Sequence, residues 1–131
     1  MVKGDIMFEV GIDIVKIERI KKAMENESFL YRILGEEEHR QLKSRNFPVQ
    51  SIAGNFCAKE AFSKAVGTGF RGIKFREIQI IRNDINKPYV LLSGNAFQLY
   101  GGTNKSFSVS ISHTDELATA IVLYENKDNY I

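Results

Sequence analysis

The sequence predicts an α+β fold: a mostly antiparallel sheet packed on one long central helix. An alternating, strand-like pattern opens the chain, helical periodicities follow it as far as Val66, and alternating patterns return between Ile78 and Tyr124. Helices and strands segregated in this way lack the regular β-α-β alternation that builds a doubly wound parallel sheet.

The elements follow in chain order. Phe8, Val10, Ile12 and Ile14 alternate with Glu9, Gly11, Asp13 and Val15, a period of two that predicts a strand with Asp13 on the face opposite the isoleucines. Ile17, Ile20 and Met24 recur at helical spacing, leaving Lys16, Arg19 and Lys22 on the outer side of a short basic helix. Phe29, Leu30, Ile33 and Leu34 form a second apolar stripe stopped by Gly35, and Glu36, Glu37 and Glu38 open a further helical turn, where acids suit the positive end of the helix. Ser51 is placed to cap a long helix that runs to Val66 and ends at Gly67. Ile52, Phe56, Ala58, Ala61, Phe62, Ala65 and Val66 occupy most of its circumference, which predicts a covered, central element. A hairpin joins Ile78 and Ile80 to Tyr89–Leu92 through Asn83, Asp84, Asn86 and Lys87, with Pro88 opening its second strand. A short helix spans about Gly94 to Tyr100. Phe107, Val109, Ile111 and His113 then alternate with serines, and Ala118–Tyr124 returns as a strand after a turn at Thr114, Asp115 and Glu116.

Length and composition limit the function classes. A chain of 131 residues suits one domain spanning 1–131, and 44% hydrophobic with 26% charged residues excludes disordered and low-complexity classes. The single cysteine, Cys57, excludes an internal disulfide and a four-cysteine zinc site, and it fits a reducing compartment. No apolar run approaches the roughly 18 residues of a membrane span, and Asp5 and Glu9 interrupt the start of the chain. These features predict a cytoplasmic protein with no membrane partner. The net charge is only +2, but from His39 to Arg76 eight Lys/Arg face a single acid, Glu60. Such a field attracts phosphates or an acidic protein surface. No aromatic and basic interleaving of the RNA-binding kind appears, so no nucleic-acid partner is expected.

Four local features bear on chemistry. Asp13 sits inside a strand, where aspartate is depleted, and so wants either solvent or a partner. Glu60 has Phe56 and Cys57 one turn before it and Lys64 one turn after. A glutamate four residues before a lysine is also a common surface pair, worth about 0.2–0.5 kcal/mol. Lodged among apolar neighbours, however, a carboxylate is costly unless a cation or metal meets it. Gly67-Thr68-Gly69 reads as a helix stop whose amides could approach an anion. His113 ends its strand in phase with the apolar residues and beside a turn, whereas His39 shows no partner and is expected at the solvated surface. Asp13 and Glu60 are hard oxygen ligands of the kind Mg²⁺ takes in ones or twos together with substrate phosphates. With nearby lysines they outline a phosphate-ester or pyrophosphate site. The residues alone name no substrate, and no Walker or dinucleotide fingerprint is present.

Gly11-Ile12-Asp13-Ile14, Arg19-Ile20, Phe56 through Ala65, Gly67-Thr68-Gly69 and Ser110-Ile111-Ser112-His113-Thr114 resemble, in order and spacing, the holo-acyl carrier protein synthase family of 4′-phosphopantetheinyl transferases. Arg32-Ile33-Leu34 followed by Glu38, and Lys87-Pro88-Tyr89, extend the resemblance over most of the chain. It implies transfer of phosphopantetheine from coenzyme A to a serine of apo acyl carrier protein, with release of adenosine 3′,5′-bisphosphate. It further implies that Asp13 and Glu60 bind Mg²⁺, that Glu60, directly or through a water, is the candidate general base, and that Lys64 neutralises phosphate charge. Lys59, Lys64 and His113 are expected against coenzyme A, and Arg19 and Lys22 against the acidic carrier. A homotrimer with coenzyme A between subunits is implied as well. Asn55, where many members carry arginine, and Cys57, where alanine is usual, depart from the pattern. The competing reading is a coenzyme A or nucleotide binding module without transferase chemistry, which has no need of both carboxylates.

Overall fold

A computed structural model describes residues 7–67 and 69–128 of the chain. Strand β1 (Met7–Lys16) leads into helices α1 (Ile17–Ala23), α2 (Ser28–Ile33), α3 (Glu36–Lys43) and α4 (Val49–Val66). A 3-10 turn at Phe75–Glu77 precedes the hairpin β2 (Ile78–Arg82) and β3 (Pro88–Leu92), after which come α5 (Gly94–Tyr100), β4 (Lys105–His113) and β5 (Leu117–Asn126). One antiparallel sheet has the order β1-β5-β4, and β2 and β3 pair separately. The first and last strands are therefore neighbours, with Gly11 opposite Val122 and Asp13 opposite Ala120.

Helix α4 lies on the inner face of the three-stranded sheet, and Ile52, Ala53, Cys57, Ala58, Ala61 and Phe62 are wholly buried along it. Its apolar circumference has the cause foreseen: other elements cover it from several sides, with β1 and α1 among them. Its start differs from expectation. Asn46 and Phe47 both take left-handed φ angles, 58° and 49°, and Pro48 then sets an extended φ of −60°, so that the helix begins at Val49. Ser51 lies within the first turn rather than at the cap, and its hydroxyl accepts a hydrogen bond from Arg45 Nη1 at 3.4 Å. At the other end Gly67, φ 82°, closes the helix in the left-handed region that glycine adopts without strain. Thr68, the centre of the Gly67-Thr68-Gly69 motif, lies outside the described residues.

Strand β1 presents Gly11, Asp13 and Val15 inward and its larger apolar side chains outward. Phe8, Val10, Ile12 and Ile14 are 58–61% exposed. The reason lies in Gly11: a Cβ there would stand 1.9 Å from the Ala61 carbonyl oxygen and 2.7 Å from the Ala65 nitrogen. Only a residue without a side chain lets the strand backbone cross α4 at this distance. Asp13 is therefore on the packed face of its strand and not on a solvated outer one. On β4 the alternation turns out as predicted, with Phe107, Val109 and Ile111 inward and the serines exposed.

Candidate functional site

The crossing of β1 over α4 brings together residues about 50 positions apart in sequence. Gly11 rests on Ala61 and Ala65, so Asp13, two residues along on the same strand face, is delivered to the helix face that carries Glu60 and Lys64. Lys64 Nζ lies 3.2 Å from Asp13 Oδ1 and donates to the Ile12 carbonyl at 2.9 Å. The Thr119 hydroxyl donates to the Asp13 carbonyl at 2.8 Å, which ties this stretch of β1 to β5. Burial pushes the Glu60 carboxyl above its ordinary range; the charge of Asp13 pushes it further, and Lys64 opposes them. The two acids thus feel each other electrostatically, and the lysine offsets part of their repulsion. Beneath them Cys57 donates to the Ala118 carbonyl at 3.4 Å; burial, reinforced by Asp13, lifts its thiol to about 12, so it stays protonated.

Among the described residues no three His, Cys, Asp or Glu side chains cluster as metal ligands. The donor set at this site is two carboxylates. It suits Mg²⁺, which keeps waters and shares substrate phosphates, and it does not suit zinc, which wants nitrogen or sulfur.

Lys59 corrects an expectation. It is fully buried and its ammonium donates to Glu38 Oε1 at 2.7 Å, to the Phe75 carbonyl at 2.8 Å and to the Ile78 carbonyl at 2.5 Å. Three donors are met by three acceptors, so none is left for coenzyme A. Glu38 is equally buried and corrects its own assignment as simple helix-start electrostatics. It accepts from Gly35 N at 3.1 Å, Asn55 Nδ2 at 2.9 Å and Ile80 N at 3.2 Å, joining α3, α4 and β2. The basic window shrinks accordingly. Lys59 is neutralised internally and Arg40 pairs with Glu36 and Glu37, acids that lie just outside the window.

His113 is exposed at the end of β4, its Nδ1 3.3 Å from the Thr114 carbonyl. It lines a polar pocket of about 230 Å³ with Arg45, Gln50, Ser51, Arg82 and Asn86, a cation-rich site that no local sequence spacing reveals. Arg19 and Lys22 are exposed on α1, and among the described residues neither forms an ion pair. His39 is not simply solvated: its ring stacks on Tyr31 at 5.7 Å between centroids and meets the Phe47 ring edge-on at 5.1 Å. One turn before Glu60, Phe56 borders an apolar groove of about 750 Å³ with Phe29, Phe70 and Phe75.

Residues 9–122 match the 4′-phosphopantetheinyl transferase superfamily. The chain is 45% identical over 125 residues to a holo-[acyl-carrier-protein] synthase of Clostridium botulinum, covering 93% of this chain and 98% of that protein. It is 40% identical over 122 residues to the corresponding synthase of Caldanaerobacter subterraneus, covering 92% and 96%. In three dimensions it is similar to the Bacillus anthracis holo-(acyl-carrier-protein) synthase solved in complex with CoA (3′,5′-ADP), with a TM-score of 0.78, 35% identity and coverage of 93% and 99%. It is also similar to the Helicobacter pylori synthase in complex with coenzyme A, with a TM-score of 0.72, 37% identity and coverage of 86% and 96%. A match of this extent, over a chain whose β1–α4 crossing gathers Asp13, Glu60 and Lys64, means that the protein belongs to the 4′-phosphopantetheinyl transferase superfamily.

Proposed function

We infer that this chain transfers the 4′-phosphopantetheine of coenzyme A to a serine hydroxyl of apo acyl carrier protein and releases adenosine 3′,5′-bisphosphate. The convergence of Asp13, Glu60 and Lys64 where β1 crosses α4 carries the reading, because a binding module needs no paired acids. Mg²⁺ held by Asp13 and Glu60 supplies stabilisation of the charge that develops on the phosphoryl oxygens and the leaving group. Glu60, directly or through a water, is the group we assign to take the serine proton. As the serine oxygen bonds to phosphorus and the pyrophosphate bond breaks, Lys64 offsets negative charge on the departing nucleotide. His113, beside Arg45 and Arg82, orients the nucleotide end of coenzyme A. The cytosol, where the single buried cysteine stays reduced, is the compartment we assign.

Mixing the protein with coenzyme A, Mg²⁺ and apo acyl carrier protein and measuring the intact mass of the carrier tests this reading. A gain of one phosphopantetheine is expected; coenzyme A binding with no adduct on any of several carriers would favour the binding module.

Arg19 and Lys22 on α1 form the surface we assign to the acidic carrier. Arg19→Glu is expected to raise the KM for the carrier by about 10-fold, with an effect that shrinks as salt rises, and to leave the KM for coenzyme A unchanged. Equal change in both constants would place the carrier elsewhere.

We further propose a homotrimer with coenzyme A held between neighbouring subunits. The support is the outward face of β1 and β5, where Val10 lies opposite Leu123 and Ile12 opposite Ile121, all of them 42–61% exposed. A continuous apolar ladder on a sheet whose other face already packs on α4 calls for another protein surface, and a second copy of the chain supplies a matching one. Ile12→Glu should convert the sedimenting species to the 14.9 kDa monomer; a wild type that is itself monomeric would remove the assembly from the account.

A further inference from the structure

Cys57, a departure from the family pattern, stands on α4 one turn before Glu60 and Ala61 and is fully buried. Two points fix where β1 passes over this part of the helix. At Gly11 the strand backbone closely approaches Ala61 and Ala65. Four residues on, Val15 pairs with Ala118 of β5, and it is the Ala118 carbonyl that accepts from the Cys57 thiol at 3.4 Å. Gly11, Asp13 and Val15 share the inward face of β1, so Asp13, midway between these points, is carried over the stretch of α4 between Cys57 and Ala61. Its side chain is accordingly only 19% exposed. The electrostatics agree with this placement: the thiol pKa is raised first by burial, then by the charge of Asp13 and by a hydrogen bond to its carboxylate, with Glu60 contributing less.

A protonated thiol has one proton, and here two acceptors compete for it, a backbone carbonyl and a carboxylate. Hydrogen bonds to an ionised group are the stronger kind, so the carboxylate of Asp13 is the favoured acceptor while it carries its charge. Asp13 is otherwise steered through its backbone or by a group the reaction engages. Thr119 holds its carbonyl, and Lys64 Nζ stands 3.2 Å from Oδ1 on a side chain that is 55% exposed. Lys64 is the cation assigned above to substrate phosphate. Once it turns to that charge, the carboxylate needs another partner to keep its orientation, and a metal ligand oriented by an outer partner binds more tightly than one free to rotate. Cys57 supplies such a partner from beneath, with no charge of its own and no exposure to solvent. An alanine in its place offers no donor.

We propose that Cys57 is a positioning residue for the metal site: its thiol donates to Asp13 from the floor of the site and orients that carboxylate for Mg²⁺. The use of the contact in holding Mg²⁺ rests on the transferase reading, whereas the contact itself does not.

Because Cys57 is the sole cysteine of the chain, its S–H stretching band in the infrared reports on this contact with no other thiol contributing. In the metal-free protein Asp13→Ala should move the band to higher frequency, as the thiol falls back on the Ala118 carbonyl. Asp13→Asn, which keeps an acceptor and drops the charge, should move it less. A band that Asp13→Ala does not move would overturn the proposal. Metal affinity is read separately, by titrating Mn²⁺ as a paramagnetic substitute for Mg²⁺ in the presence of coenzyme A and following the free ion by electron paramagnetic resonance. Cys57→Ala should weaken Mn²⁺ binding by about 3- to 10-fold, at or below the low end of what outer partners of metal ligands contribute, because S–H is a weak donor. Cys57→Ser, which restores a donor, should fall between that variant and wild type. In carrier modification Cys57→Ala should raise the KM for Mg²⁺ by the same factor and change kcat at saturating Mg²⁺ by less than about 2-fold, a split that general loosening of the core would not produce. Equal metal affinity in wild type and Cys57→Ala, or a loss confined to kcat, would also overturn it. If Cys57→Ala does not fold, the Asp13 variants and Cys57→Ser decide the matter. Carrier modification with a band indifferent to Asp13 removes the Cys57 assignment alone. A band that follows Asp13, in a protein whose Mn²⁺ affinity depends on Cys57 but which modifies no carrier, keeps the contact and removes the transferase reading.

Discussion

Asp13→Ala and Glu60→Ala are each expected to lower kcat/KM for carrier modification by about 10²–10³-fold or more, the scale of losing a preorganised charge at a reacting phosphoryl group. Neither change removes apolar packing, so both variants should stay folded, and the loss should appear at saturating coenzyme A. Glu60→Gln separates catalysis from stability. In the metal-free protein burial and the charge of Asp13 raise the Glu60 pKa, so the folded state holds that proton more tightly than the unfolded one. The resulting contribution is complete below the unfolded glutamate pKa and is lost as pH rises through the folded value. At pH 7 the ionised Glu60 therefore costs the metal-free protein stability, and Glu60→Gln should raise the melting temperature while abolishing turnover. A variant that is both inactive and less stable would mean that Glu60 holds the fold and not the chemistry.

Glu38→Gln and Lys59→Met should each destabilise the protein by about 3–5 kcal/mol in urea titrations, the cost of leaving one member of a buried ion pair without its partner. Glu38 accepts four hydrogen bonds, from Gly35 at the start of α3, Asn55 and Lys59 on α4 and Ile80 on β2, so its donors come from three segments. The expected failure is accordingly cooperative, loosening α3 and β2 from α4 together. A loss below about 1 kcal/mol in either variant would show that the pair is solvated, and Lys59 would return as a candidate contact for coenzyme A.

How much of this was legible in the sequence follows from which information is local. Element order and type could be read because periodicity is local: the Phe107–His113 alternation and the apolar circumference of α4 both appear as expected. The inward turn of Asp13 could not be read, because the face of β1 with the larger side chains is the outer one. The deciding residue, Gly11, acts through a close backbone approach to Ala61 and Ala65 that no spacing encodes. Glu38 reads as a helix-start acid, and its partner Lys59 as a coenzyme A contact implied by the family resemblance, since 21 positions separate them and no local spacing pairs them. Arg82 lies outside the basic window, and Asn55, whose side-chain oxygen accepts from it, is visible in the sequence only as a departure from the family pattern. Sequence placed the acids on their elements; only the packing of β1 on α4 made them neighbours.

A double-mutant cycle on Asp13 and Glu60 tests that convergence most directly. If the two carboxylates serve one phosphoryl centre, the Asp13→Ala/Glu60→Ala double variant should lose about as much kcat/KM as the worse single variant, because the second deletion removes a group already disabled. Losses that multiply, with the double variant falling by the product of the two single effects, would mean that Asp13 and Glu60 act at separate places, contrary to the site built here.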